Sequence, residues 1–271
     1  MPPPPAAALI NAITSSTFES ATARPCPAQA PVAAKPMHSQ AMQEQMHKMQ
    51  AAHDKLAAAK TPAERQVAMV PWLERFPIKD LMDAGVLVKR RLDAKSKPQL
   101  VGELLGFYGV ASPAQWETQY GCMELSFRRS REDQADVAAI SAWLRMGEKM
   151  AEKLDGPGYD EAKFKAALAE IRGLTSFKPS EFQPRMQQLL HEAGVAFVLV
   201  PALPRTHVSG VARWINPHRP LIQLSLYGKQ NDRFWFSFFH EAAHILLHSR
   251  QKKSVFLDDT SKSESSSKEE Q

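Results

Sequence analysis

Residues 234–250 read FWFSFFHEAAHILLHSR, an apolar run that carries three histidines and one glutamate. A stretch this apolar has to be buried on at least one face. A polar group buried there without a partner costs about 1–3 kcal/mol on mutational scales. The spacing suggests how these groups are satisfied. His240 and His244 are four residues apart, so on a helix they share one face, one turn from each other. Both imidazoles can then reach a single zinc ion at the usual Zn–N distance of about 2.0–2.1 Å. Glu241 stands beside that face, where a carboxylate can take a proton from an activated water instead of serving as a ligand. His240 and His244 are therefore the candidate metal ligands, Glu241 the candidate catalytic base, and Zn2+ the expected cofactor. His248 continues the ladder, but eight residues of helix span about 12 Å. His240 and His248 cannot share one ion, and a third ligand has to arrive from another segment. The competing reading, in which these side chains only face solvent or meet core partners, is the weaker one for a motif set in such flanks.

The rest of the chain narrows the class. Its 271 residues are 44% hydrophobic, enough for one large or two small domains with a core. The net charge of +5 comes from interspersed acids and bases, with no basic cluster interleaved with aromatics. Nucleic-acid binding is therefore not expected. Cys26 and Cys122 are the only cysteines and form no CxxC pair, which suits a reducing compartment. No apolar run approaches the roughly 18 residues of a membrane span, and the first residues lack the basic start of a secretory signal. A cytoplasmic protein without membrane contact is expected.

Composition divides the chain into five parts. Residues 1–36 are rich in Pro and Ala and read as a disordered leader. Residues 37–70 read as an amphipathic Met/Gln-rich helix, with Met42, Met46, Met49 and His53 along one face and a boundary at TPAER. That stripe suits soft metals such as Cu(I), but packing against a neighbour is the more ordinary use of such methionines. Residues 71–190 show apolar spacings of three and four broken by Gly, Pro and Ser, so a helical region is expected. Its longest helix is SREDQADVAAISAWLRMGEKMAEKL, with Ser130 as cap and Val137, Ile140, Trp143, Leu144 and Met150 as apolar face. Residues 191–258 change texture. VAFVLVPAL reads as a buried strand, HVSGVARWI as a second strand at an edge, and PLIQLSL as a half-exposed strand. The histidine helix follows, capped by Asn231 or Asp232, and SVFLDD is a last short strand. Residues 259–271 form a polar, flexible tail. The expected class is α+β: N-terminal helices, then a small sheet, then an HExxH active-site helix, a minimal zincin-like core.

Several of these stretches also carry a family likeness. ERFPIKDLMDAGV, LLGFYGVASPAQW, SFRRS, AISAWLRMGE, YDEAKFKAALAEIRGLT, VFLDD and the whole segment from AGVAFVLV to HEAAHILLHS keep their order and spacing. From about Trp72 onward the chain resembles the ImmA/IrrE family of metallo-endopeptidases, in the long form that usually follows an Xre-type helix-turn-helix domain. The resemblance implies a cytoplasmic zinc-dependent endopeptidase whose substrate is a regulatory protein such as a transcriptional repressor. Two departures bear on it. Nothing before Trp72 resembles the helix-turn-helix. The family also continues into an acidic helix of the form E-x-x-A-N/D that supplies the third zinc ligand, whereas this sequence ends at SSSKEEQ. Glu270, or less closely Glu269, matches the position of that ligand. The implied alternative is a catalytically impaired member acting as a regulatory interaction module.

Around the motif, the strand near Val208–Ile215 is expected to border the cleft. Arg213, His207 and His218 are candidates to steady an oxyanion, although for each a packing role is the simpler expectation. Trp235, Phe236, Phe238 and Phe239 read as core, and His191 as a charge partner for the end of its helix.

Overall fold

The computed structural model describes residues 61–120, 136–206, 208–225, 231–247 and 256–259, together with scattered helical positions between His47 and Ala59. The expected methionine stripe, both cysteines, His207, His248 and Glu270 lie outside the described residues. Mixed α and β structure follows the expected order.

The first described helices are α1 (Pro62–Ala68), α2 (Val70–Leu73), α3 (Ile78–Asp83) and α4 (Lys97–Tyr108). Thr61 caps α1 through a reciprocal capping box with Glu64, and Pro62 opens the helix. At the other end of this group, α4 stops at Gly109, whose φ of 70° is the left-handed conformation that a C-terminal cap requires. These helices and the helical residues 113–120 bury Trp72, Phe76, Tyr108, Trp116 and Tyr120 as one edge-to-face aromatic cluster.

The next helix, α5 (Val137–Ala151), begins later than the sequence suggested. Asp136 caps it, accepting from the amides of Ala138 and Ala139, so Ser130 is not its cap. Nor is its apolar face a stripe. Ile140, Trp143 and Leu144 are buried as expected, but so are Ala138, Ala139, Ser141, Ala142 and Gly147, while Met150 is exposed. A helix buried this widely is enclosed by other elements, and α5 lies between the sheet and the N-terminal helices.

Two further helices, α6 (Glu161–Gly173) and α7 (Pro179–Glu192), pack on each other and precede strand β1 (Ala196–Val200). Gly194 supplies the positive φ, 75°, that lets α7 turn into β1. The sheet continues with β2 (Val208–Asn216) and β3 (Arg219–Ser225), followed by α8 (Asn231–Leu247) and β4 (Phe256–Asp259). Helix α8 already contains Asn231 and Asp232, so neither is its cap. The acidic Asp232 sits in its first turn, where it complements the helix dipole.

The sheet order is β1-β3-β2-β4, with β1 parallel to β3 and the other neighbours antiparallel. This corrects two expectations. HVSGVARWI is an interior strand, paired on both sides, not an edge. PLIQLSL is not half-exposed, because residues 220–224 are all buried. Leu221 and Gln223 face α5, while Ile222 and Leu224 join the cluster beneath α8. The sheet is thus the middle of three layers, with α5 on one face and α6–α8 on the other.

A buried polar seam joins α5 to the sheet. Gln223 donates to the carbonyl of Trp143 at 2.7 Å, and Arg213 donates to that of Leu144 at 2.6 Å and to Glu148 at 2.6 Å. A Cβ at position 147 would overlap the Gln223 amide, so a glycine is required where the helix meets the strand. Glu148 also accepts from Arg145 at 2.6 Å, and Arg145 in turn donates to the carbonyl of Phe107 at 3.0 Å, tying α4 to α5. Desolvation pulls the Arg145 guanidinium down, but the Glu148 hydrogen bond and charge outweigh it and leave its pKa raised. Close by, burial pushes the Tyr120 phenol up to about 12, and it stays neutral beside these charges.

Candidate metal centre

Helix α8 lies on β2 and β3 because its inward residues are apolar: Trp235, Phe238, Ala242 and Ile245 are all buried against that side of the sheet. Phe239 is half-buried and stacks on Trp235. The four-residue spacing then places His240 and His244 away from this core face, half-buried. The two Nε2 atoms approach to 2.9 Å, with ring centroids 4.7 Å apart and planes inclined at 71°.

That geometry can be tested against zinc. Two nitrogen ligands at about 2.0–2.1 Å in a tetrahedral arrangement stand about 3.3 Å apart. The observed separation is a few tenths of an ångström shorter, within reach of small rotamer adjustments. Each ring turns Nε2 toward the other, and at 2.9 Å one Nε2 donates a hydrogen bond to its partner; a single ion between them would draw on the same two nitrogens. The pair fits half of a zinc ligand set.

Glu241 takes a different direction from the histidines. It is only 1% exposed and lies under β2, against Gly210. A Cβ at position 210 would come within 2.8 Å of Glu241 Oε1, 2.9 Å of its Cγ and 2.7 Å of Leu224 Cδ2. The carboxylate reaches this depth because the strand has no side chain there. Replacing Gly210 with alanine is expected to cost about 1–3 kcal/mol of stability through overpacking. Chemical denaturation measures it, and an unchanged midpoint would contradict the close approach. A glycine inside a strand pattern is the sequence signal for such contact, and HVSGVARWI carries it; this residue was missed because the segment was read as an edge.

The other expectations divide. The strand at Val208–Ile215 does run beside the motif, through Gly210. Arg213 is on its opposite face: buried, paired with Glu148 and directed into α5, it is not available to an oxyanion beside α8. Burial pulls its guanidinium below the ordinary range, and the charge of Glu148 opposes that shift. His218 is exposed in the turn between β2 and β3, at the far end of the hairpin from Gly210. His191 hydrogen-bonds the carbonyl oxygen of Asp155 at 2.7 Å, holding the 154–157 loop against α7. Phe236 is not core: it is 55% exposed, with its ring centroid 6.0 Å from that of His240.

Among the described residues, His240 and His244 are not joined by a third His, Cys, Asp or Glu to make a three-ligand group. No helix among them is long and apolar enough to cross a membrane. Comparison of the chain with family models, with curated proteins and with solved structures gives no match.

Proposed function

We propose that this chain is a zinc-dependent endopeptidase of the ImmA/IrrE kind, built on a minimal zincin-like core, that hydrolyses a peptide bond in a regulatory protein such as a transcriptional repressor. The observation that carries the reading is the convergence of His240 Nε2 and His244 Nε2 to 2.9 Å on one helix face. The family likeness of the sequence from Trp72 onward supports it, as does the packing of the motif helix beneath a sheet.

The residues divide the work. His240 and His244 hold the ion through Nε2, and packing of α8 on β2 and β3 fixes their backbone positions. Bound zinc would supply Lewis-acid activation of a water and of the scissile carbonyl. Glu241 is the base the motif assigns; its carboxylate lies under β2 against Gly210, so it has to turn toward the histidine face to accept the proton given up by that water and deliver it to the departing amine. Glu270 is the proposed third ligand.

The first test is stoichiometry. The purified chain should carry about one zinc, and His240→Ala or His244→Ala should each abolish it, measured by metal analysis after dialysis. A wild-type chain that takes up no zinc under saturating conditions ends the proposal.

A second reading draws on the two-ligand set found among the described residues. On this view the chain is a catalytically impaired family member that acts by binding its regulatory partner. Equal biological effect from the wild type and from Glu241→Gln would favour it.

A further inference from the structure

The outer face of α8 carries more than two histidines. Phe236, His240, His244 and Leu247 follow one another at intervals of four, four and three, so all four lie on one narrow stripe. Phe236 is 55% exposed and Leu247 62% exposed, so a bulky apolar side chain lies at either end of the imidazole pair. A single exposed apolar residue is ordinary on any protein. Two on the same stripe, bracketing the candidate metal ligands, are a different matter, because the helix already has its core contacts. Trp235, Phe238, Ala242 and Ile245 provide these from the opposite face. Phe236 could be polar at no loss to the core.

The ring of Phe236 is tilted 30° from that of His240, its centroid 6.0 Å away. It therefore forms a wall one helical turn from the proposed point of hydrolysis. An extended peptide rises about 3.3 Å per residue, so a strand running along α8 over the histidines brings a side chain within about two residues of the scissile bond to this ring. Apolar contact with a ring at that place is satisfied by a bulky apolar or aromatic side chain and by little else. We infer that Phe236 is a specificity-determining residue and that the substrate class is peptides with a large apolar side chain within about two residues of the cleaved bond.

The inference rests on the peptidase reading, and the experiment separates the two. The zinc-loaded full chain is incubated with a randomised peptide library, and the cleavage products are sequenced by mass spectrometry. The wild type should favour Phe, Leu or Met over Ala or Ser at one position within about two residues of the cut. Phe236→Ala should reduce that selectivity about 10–100-fold, the range available to one apolar contact, mainly through KM. Phe236→Leu should restore part of it. Zinc content should be the same in all three proteins. An active wild type whose preference is not changed by Phe236→Ala overturns the specificity role and leaves the peptidase reading standing. Equal loss on every peptide also overturns it, since that marks a positioning effect. A zinc-loaded wild type that cleaves nothing in the library removes the peptidase reading, and this inference with it.

Discussion

Glu241→Gln should lower kcat for peptide hydrolysis by about 10²–10⁴-fold, the usual contribution of a positioned general base. KM and zinc content should change little. Glutamine has nearly the same shape, so the close packing against Gly210 survives while the proton acceptor is lost. Glu241 is buried under the strand, and the two imidazoles meet each other through their own Nε2–Nε2 hydrogen bond. Single-turnover kinetics on a peptide cut by the wild type makes the measurement, with circular dichroism as the check on folding. If zinc binding is intact and kcat stays within about threefold of the wild type, the role assigned to Glu241 is wrong.

Glu148→Leu should destabilise the fold by about 3–5 kcal/mol, the cost of removing one partner from a buried ion pair. Glu148 is the shared acceptor of Arg213 and Arg145, and Arg213 is only 7% exposed. Without it the Arg213 charge is left between α5 and the sheet, where desolvation already works against that charge. The paired change Glu148→Leu with Arg213→Met should recover most of the loss, because an apolar pair of similar volume removes both charges together. Urea denaturation of the two variants and the wild type gives the comparison. A single variant within about 1 kcal/mol of the wild type would mean that the seam contributes little.

The sequence was most informative where a pattern is local. The helix that carries His240 and His244, the helix boundary at TPAER and the strand at VAFVLV all depend on residues within a few positions of one another. It was least informative where a residue's surroundings come from distant segments. PLIQLSL alternates as a half-exposed strand does, yet α5 covers its second face and the Gln223 amide donates to a carbonyl eighty positions away. For Arg213 packing is the simpler expectation from sequence, but which face it packs on is set only by the strand's place in the sheet. Asp136 displaced Ser130 as the cap of α5, though both belong to a segment rich in capping residues. Phe236 shares its composition with three aromatic neighbours, and only its angular place on α8 sets it apart.

By itself, the sequence determined that two imidazoles would meet on one face of a helix, because a helical turn of 3.6 residues makes that a matter of counting. The tertiary structure alone decided what lies around them: the carboxylate tucked under Gly210, Arg213 turned to the far side of the sheet, and the exposed ring beside His240. Each of these depends on which layer covers which face. Coverage is set by contacts between segments far apart in the chain, and no local spacing encodes those.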